Sequence, residues 1–126
     1  MHKSRLGGFI IDCNTDDLDA AARFWSAALG LAAESSASAR DALYRTLDTP
    51  ADQPHLEVQR VAHPSRVHLD IEADDIEAEV RRLEKLGARP IGPVGAWYVM
   101  EAPTGQRFCV VRVQRPGFPK NANHWD

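Results

Sequence analysis

Between 67 and 72 the apolar residues Val67, Leu69 and Ile71 alternate with the polar residues His68, Asp70 and Glu72. This is the period of a strand with one apolar and one polar face. Directly after it, Asp74-Asp75 opens a segment in which Ile76, Val80, Leu83 and Leu86 recur at helical spacing, and Gly87 follows. An acidic N-cap, an apolar stripe and a terminal glycine predict an amphipathic helix. Its charges, Glu79 with Arg82 and Arg81 with Lys85, are expected on a solvated outer face. The same grammar occurs earlier: Asp16-Asp17 precedes Leu18, Ala21, Ala22, Trp25, Ala28 and Leu29, and Gly30 closes the run.

The two descriptions match because the chain repeats. An offset of 58 carries Asp16, Asp17, Leu18, Asp19 and Ala20 onto Asp74, Asp75, Ile76, Glu77 and Ala78, and Phe9, Ile11 and Cys13 onto Val67, Leu69 and Ile71. An offset of 52 carries Leu56, Val58, Arg60 and Val61 onto Phe108, Val110, Arg112 and Val113. After the first helix, strands are expected at 31–34, 42–47 and 55–61, with a loop at 35–40 and a turn at 48–54. After the second they are expected at 88–91, 96–101 and 107–113, with turns at 92–93 and 103–105. The pattern defines an α+β fold of two tandem βαβββ modules, 7–61 and 66–113, in a single domain spanning 1–126. The tail 114–126 is expected to be irregular, with Phe118 and Trp125 packing back on the domain or reaching a partner subunit. Each helix stripe should cover the apolar sheet face, leaving the polar faces to a concave cavity between the modules.

Composition narrows the function classes. The chain has 126 residues, 44% of them hydrophobic and 26% charged, with a net charge of -3 and scattered basic residues. That is a globular composition without the electrostatic footprint of a nucleic-acid binder. No apolar run approaches the roughly 20 residues that span a bilayer, and Asp12 interrupts the apolar stretch near the beginning. A cytoplasmic protein with no membrane partner is expected. Cys13 and Cys109 lie in apolar runs and are read as buried free thiols. Dinucleotide fingerprints, P-loops, nucleophile elbows and HExxH are absent from the sequence.

The stretches FWSAALGL at 24–31, VHLDIEADDIEAEVRRLEKLGA at 67–88 and APTGQRFCVV at 102–111 resemble the glyoxalase-like branch of the vicinal oxygen chelate (VOC) superfamily. That superfamily includes glyoxalase I, bleomycin-resistance proteins and extradiol dioxygenases. Ala102 and Gln106 depart from its turn motif. The resemblance implies metal ligands on the first and last strands of each module, positions that fall on Ile10, Glu57, His68 and Cys109. His68 and Glu57 are ordinary ligands for a divalent metal ion; Ile10 has no donor atom, and Cys109 offers a soft thiolate. Two of four positions are therefore replaced, which argues against glyoxalase I activity itself. The resemblance also implies a homodimer, and a lyase or isomerase step on a small oxygenated molecule.

His68 then has three readings: metal ligand, hydrogen-bonding or acid–base group lining the cavity, or core histidine tied to a backbone carbonyl. As catalytic candidates, His68 or Glu57 would move a proton next to a carbonyl, with or without a divalent ion as cofactor. Gln59, Asp70, Trp97, Tyr44, Cys109 and Ile10 complete the expected ligand pocket. For Asp70 the favoured reading is instead an exposed or helix-capping carboxylate, whereas Trp97 and Tyr44 suit core or dimer contacts equally well. The alternative to an enzyme is a protein of the bleomycin-resistance type that sequesters a drug or metabolite. A third reading is a dimerisation module without a ligand cavity.

Overall fold

A computed structural model of the chain describes residues 1–34 and 42–126, so the expected loop at 35–40 lies outside the described residues. The chain divides into two compact units, Gly8–Val67 and Met1–Gly7 with His68–Asp126. Strand β1 (His2–Cys13) contributes its first residues to one and its last to the other.

In the unit Gly8–Val67, β1 is followed by helix α1 (Leu18–Leu29), β2 (Tyr44–Leu47) and β3 (His55–Arg60). β3 lies between β1, to which it is parallel, and β2, to which it is antiparallel. Asp17 caps α1 by accepting a hydrogen bond from the Ala20 amide, and Gly30 ends it at φ 69°. That left-handed conformation costs a glycine little. Leu18, Leu47 and Val58 form the core under α1, with Ala21, Trp25, Leu31, Leu56 and Cys13 packed against them. The stripe emerges at its C-terminal end, where Ala28 and Leu29 are exposed. The strand expected at 31–34 reduces to one bridge, Ala33 to Leu47.

The second module runs β4 (Arg66–Ala73), whose first two residues still belong to the unit Gly8–Val67, and then, in the other unit, α2 (Ile76–Lys85), β5 (Arg89–Val94), β6 (Trp97–Glu101) and β7 (Arg107–Arg112). β4 pairs in parallel with β7, and β7, β6 and β5 follow antiparallel. Ala73, Val80, Leu83, Met100 and Val110 form its core. Four corrections to the sequence reading belong here. Leu86, the last residue of the expected stripe, is 65% exposed, because α2 ends at Lys85 and Gly87 turns the chain away. Val67 and Leu69 are exposed, since the core under α2 takes in only Ile71 and Ala73 of β4. The turn expected at 92–93 is instead a register irregularity inside β5, between Pro90 and Gly92, and the chain reverses at 95–96. Prolines fit there because β5 is an edge strand.

The fourth correction is Glu79, read from sequence as solvated and found fully buried. It accepts hydrogen bonds from Arg82 Nε and Nη2 at 2.7 and 2.9 Å and lies 2.8 Å from His2 Nε2. Its partners explain its position, because a buried carboxylate survives only when paired. The tail is also more regular than expected. It forms α3 (Phe118–Asn121) and β8 (Asn123–Trp125), which pairs antiparallel with His2–Ser4 of β1. Segments of three or four residues are too short for periodicity to reveal. Its aromatics do pack back: Phe118 is buried, Trp125 donates to Ser4 Oγ at 2.8 Å, and Arg82 stacks over the indole at 3.9 Å.

Candidate functional site

β4 presents His68 and Asp70 on one face because successive strand residues alternate. The parallel ladder places Asp70 opposite Cys109 of β7. The result is a cluster in which one ligand atom each from His68, Asp70 and Cys109 lies within 4.8 Å of the others. His68 Nε2 stands 3.6 Å from Asp70 Oδ1, beyond hydrogen-bond length, and the two side chains are 13% and 14% exposed. They are sheltered yet reachable. On β6, Val99 pairs with Cys109 and Trp97 lies two residues back, so Trp97 shares the face of the cluster.

Glu72, the next polar residue of β4, serves the fold. Fully buried, it accepts from Arg5 Nε at 2.5 Å and from the Gln114 amide at 2.9 Å, and so anchors the start of the tail. The polar face of β4 therefore divides: His68 and Asp70 toward a site, Glu72 into structure.

Ile10, Tyr44, Glu57 and Gln59 lie in the unit Gly8–Val67. Ile10 is 3% exposed and pairs with Glu57, which pairs in turn with Thr46. One step along, Asp12 pairs with Gln59 and Gln59 with Tyr44, and Gln59 Nε2 donates to the Tyr44 hydroxyl at 3.0 Å. Sequence reasoning missed Asp12, a 2% exposed carboxylate 3.6 Å from Arg66. Its signal was the lone charge it places in an apolar run. Contrary to the expectation of buried thiols, both cysteines are only half-buried, because each sits on a strand face that the helix core does not fully cover; burial, reinforced by the neighbouring Asp12, raises the Cys13 thiol above its ordinary pKa. An open depression of about 620 Å³ lies elsewhere, at the start of α2, lined by Ala73, Asp74, Asp75, Ile76, Arg112 and Val113 among others.

The metal set implied by the resemblance does not fit as a whole, since Ile10 has no donor. The local cluster of His68, Asp70 and Cys109 does fit: one nitrogen, one oxygen and one sulfur suit a borderline cation such as zinc better than magnesium or calcium.

Two modules, βαββ with a single bridge at Ala33 in place of its further strand and then βαβββ, in each of which the first strand pairs in parallel with the last, define the fold class of the vicinal oxygen chelate superfamily. The chain belongs to the glyoxalase-like domain family, whose model matches residues 8–111. Its fold is shared by solved structures of low sequence identity. A protein solved as NAD-dependent benzaldehyde dehydrogenase from Legionella pneumophila is 10% identical, with 84% of this chain and 99% of that one covered at a TM-score of 0.60. Methylmalonyl-CoA epimerase from Mycobacterium tuberculosis is 16% identical, with 86% and 87% covered at 0.57. The Streptomyces coelicolor epimerase, in complex with 2-nitronate-propionyl-CoA, is also 16% identical, with 88% and 96% covered at 0.53. Among curated proteins, none matches the sequence. No helix among the described residues is long and apolar enough to cross a membrane.

Proposed function

We propose that this glyoxalase-like protein binds a small oxygenated molecule at the His68–Asp70–Cys109 cluster, and that these three side chains hold a divalent metal ion of the zinc type. The observation that carries the reading is their mutual approach within 4.8 Å on two paired strands. Three protein ligands leave a fourth position open, as catalytic zinc sites do. When bound, such an ion supplies Lewis acidity, polarising a carbonyl oxygen. The protein's part is to fix the donors: β4 and β7 are paired strands, so Asp70 and Cys109 are held by backbone hydrogen bonds rather than by loops. Trp97, on the same face, gives the ligand an aromatic wall. The chemistry this supports is a lyase or isomerase step next to a carbonyl, and the names of the epimerase neighbours agree with that class.

A second reading, a binder that sequesters its ligand unchanged, is favoured by Ile10, a buried hydrocarbon at one position where the resemblance implies a metal ligand. Exposed Val67 and Leu69 support a homodimer in either case.

The test is metal analysis of protein purified without chelators, beside His68→Ala prepared identically. Stoichiometric zinc-type metal that disappears in the variant supports the reading. Metal-free protein that keeps full activity toward its ligand would sink it. Recovery of the ligand unchanged after prolonged incubation selects the binder.

A further inference from the structure

Charged side chains form a row on the sheet face that carries the cluster. The antiparallel ladders put Arg89 opposite Glu101, and Glu101 opposite Arg107. Carrying the β4–β7 register back by two residues from the Asp70–Cys109 pair brings Arg107 level with His68. Steps of two keep a side chain on the same face, so Arg107 shares the face of Cys109. The adjoining row is Val99, Cys109 and Asp70. The two rows are about 7 Å apart along the strands, two residues at roughly 3.3 Å each.

Charge in the first row does not cancel. Glu101 is held by Arg89, whose hydrogen bond is the main reason its carboxyl titrates below the ordinary value, so it is an anion at neutral pH. Arg107 Nε stands 4.0 Å from the same carboxylate, too far for a hydrogen bond, and its side chain is 39% exposed. Two guanidinium groups thus share one carboxylate, and the second is engaged only loosely. A planar guanidinium presents a fork of donors that matches a carboxylate in a bidentate manner.

We propose that the ligand of this site carries a carboxylate, which Arg107 binds, beside the carbonyl or hydroxyl oxygen that the His68–Asp70–Cys109 cluster receives. The substrate class is then a small oxygenated carboxylic acid. This deepens the functional reading above and rests on the cluster being the ligand site. The row could otherwise be cross-strand ion pairing that serves the sheet alone, and the experiment separates the two.

Pyruvate and pyruvamide share a ketone and a size but differ in charge. Their affinities are measured by chemical-shift titration at constant ionic strength, on zinc-loaded and on chelator-treated protein, for the wild type, Arg107→Ala and Arg107→Gln. The expected result is at least a tenfold preference for pyruvate in the wild type. In both variants it should fall to within twofold, with unchanged melting temperature and zinc content. A wild-type preference below twofold, no measurable binding of pyruvate, or a preference that survives both substitutions would overturn the proposal. If the preference holds in chelator-treated protein while zinc never binds stoichiometrically, the metal reading fails and the carboxylate site stands.

Discussion

Asp70 faces Cys109 across the parallel β4–β7 ladder. The internal repeat would instead put His68 there, because Ile10 pairs with Glu57 in the first module and maps onto His68 as Glu57 maps onto Cys109. The second ladder is thus displaced by two residues relative to the first. An even displacement leaves every side chain on its own face, so it is invisible in the hydrophobic pattern. What it changes is the neighbourhood: a carboxylate joins the imidazole and the thiol.

That displacement makes Asp70 a full member of the cluster. Asp70→Asn keeps the size of the side chain but removes its charge and one anionic donor, so zinc affinity should fall by about tenfold or more. Competition against a chromophoric chelator reads the change. An affinity within twofold of the wild type would mean that Asp70 stands beside the metal without holding it.

Glu79 supports a different prediction. Burial pushes its carboxyl upward, but hydrogen bonds from Arg82, His2 and Ser4 outweigh burial and hold the pKa below the ordinary carboxylate value. A carboxyl whose pKa is lowered on folding contributes stability that is complete above its unfolded pKa, near 4.3, and is lost as pH falls through the folded value. Stability of the wild type should therefore drop below about pH 4, and Glu79→Gln should flatten that part of the profile. At neutral pH, Glu79→Ala leaves Arg82 without its buried partner and should cost about 3–5 kcal/mol. Urea unfolding between pH 3 and 7 measures both effects; an unchanged acid limb in Glu79→Gln would assign the acid sensitivity to other carboxylates.

Leu83 and Leu86 test the packing of α2. Both fall on the stripe that the sequence draws, yet Leu83 is 8% exposed and Leu86 65%. Leu83→Ala should cost about 2–5 kcal/mol, and Leu86→Ala about 0.5 kcal/mol or less. Equal losses in chemical denaturation would mean that Leu86 is covered in solution, as in an assembly of subunits.

The contrast between those residues shows what was legible in the chain. Repeated strand, helix and glycine signals locate both modules, because alternation and helical period follow from geometry that every copy shares. Helix caps at Asp17 and Asp75 could be read for the same reason. Burial at the ends of elements could not, since it depends on where the facing strands stop. The sequence alone marks His68 but leaves Asp70 between solvent and site, and it casts Glu79 as surface. Each is decided by a partner distant in sequence: Cys109 for Asp70, His2 for Glu79.

Gly8 is demanded by a contact that no pattern announces. It lies in β1 opposite His55 of β3, and a Cβ placed on it would stand 2.7 Å from His55 Cβ and 2.8 Å from the His55 carbonyl oxygen. Both distances are shorter than van der Waals contact allows, and one obstacle is backbone, so the strands must separate to admit a methyl group. Gly8→Ala should destabilise the protein by about 1–3 kcal/mol, the usual cost of overpacking. Adding His55→Gly removes the side-chain half of the clash and leaves the carbonyl, so the double variant should recover part of the loss relative to the sum of the two single changes. Additive losses in a urea double-mutant cycle would mean that the strands part freely at this point and that the close approach of Gly8 to His55 is not what fixes the β1–β3 pairing.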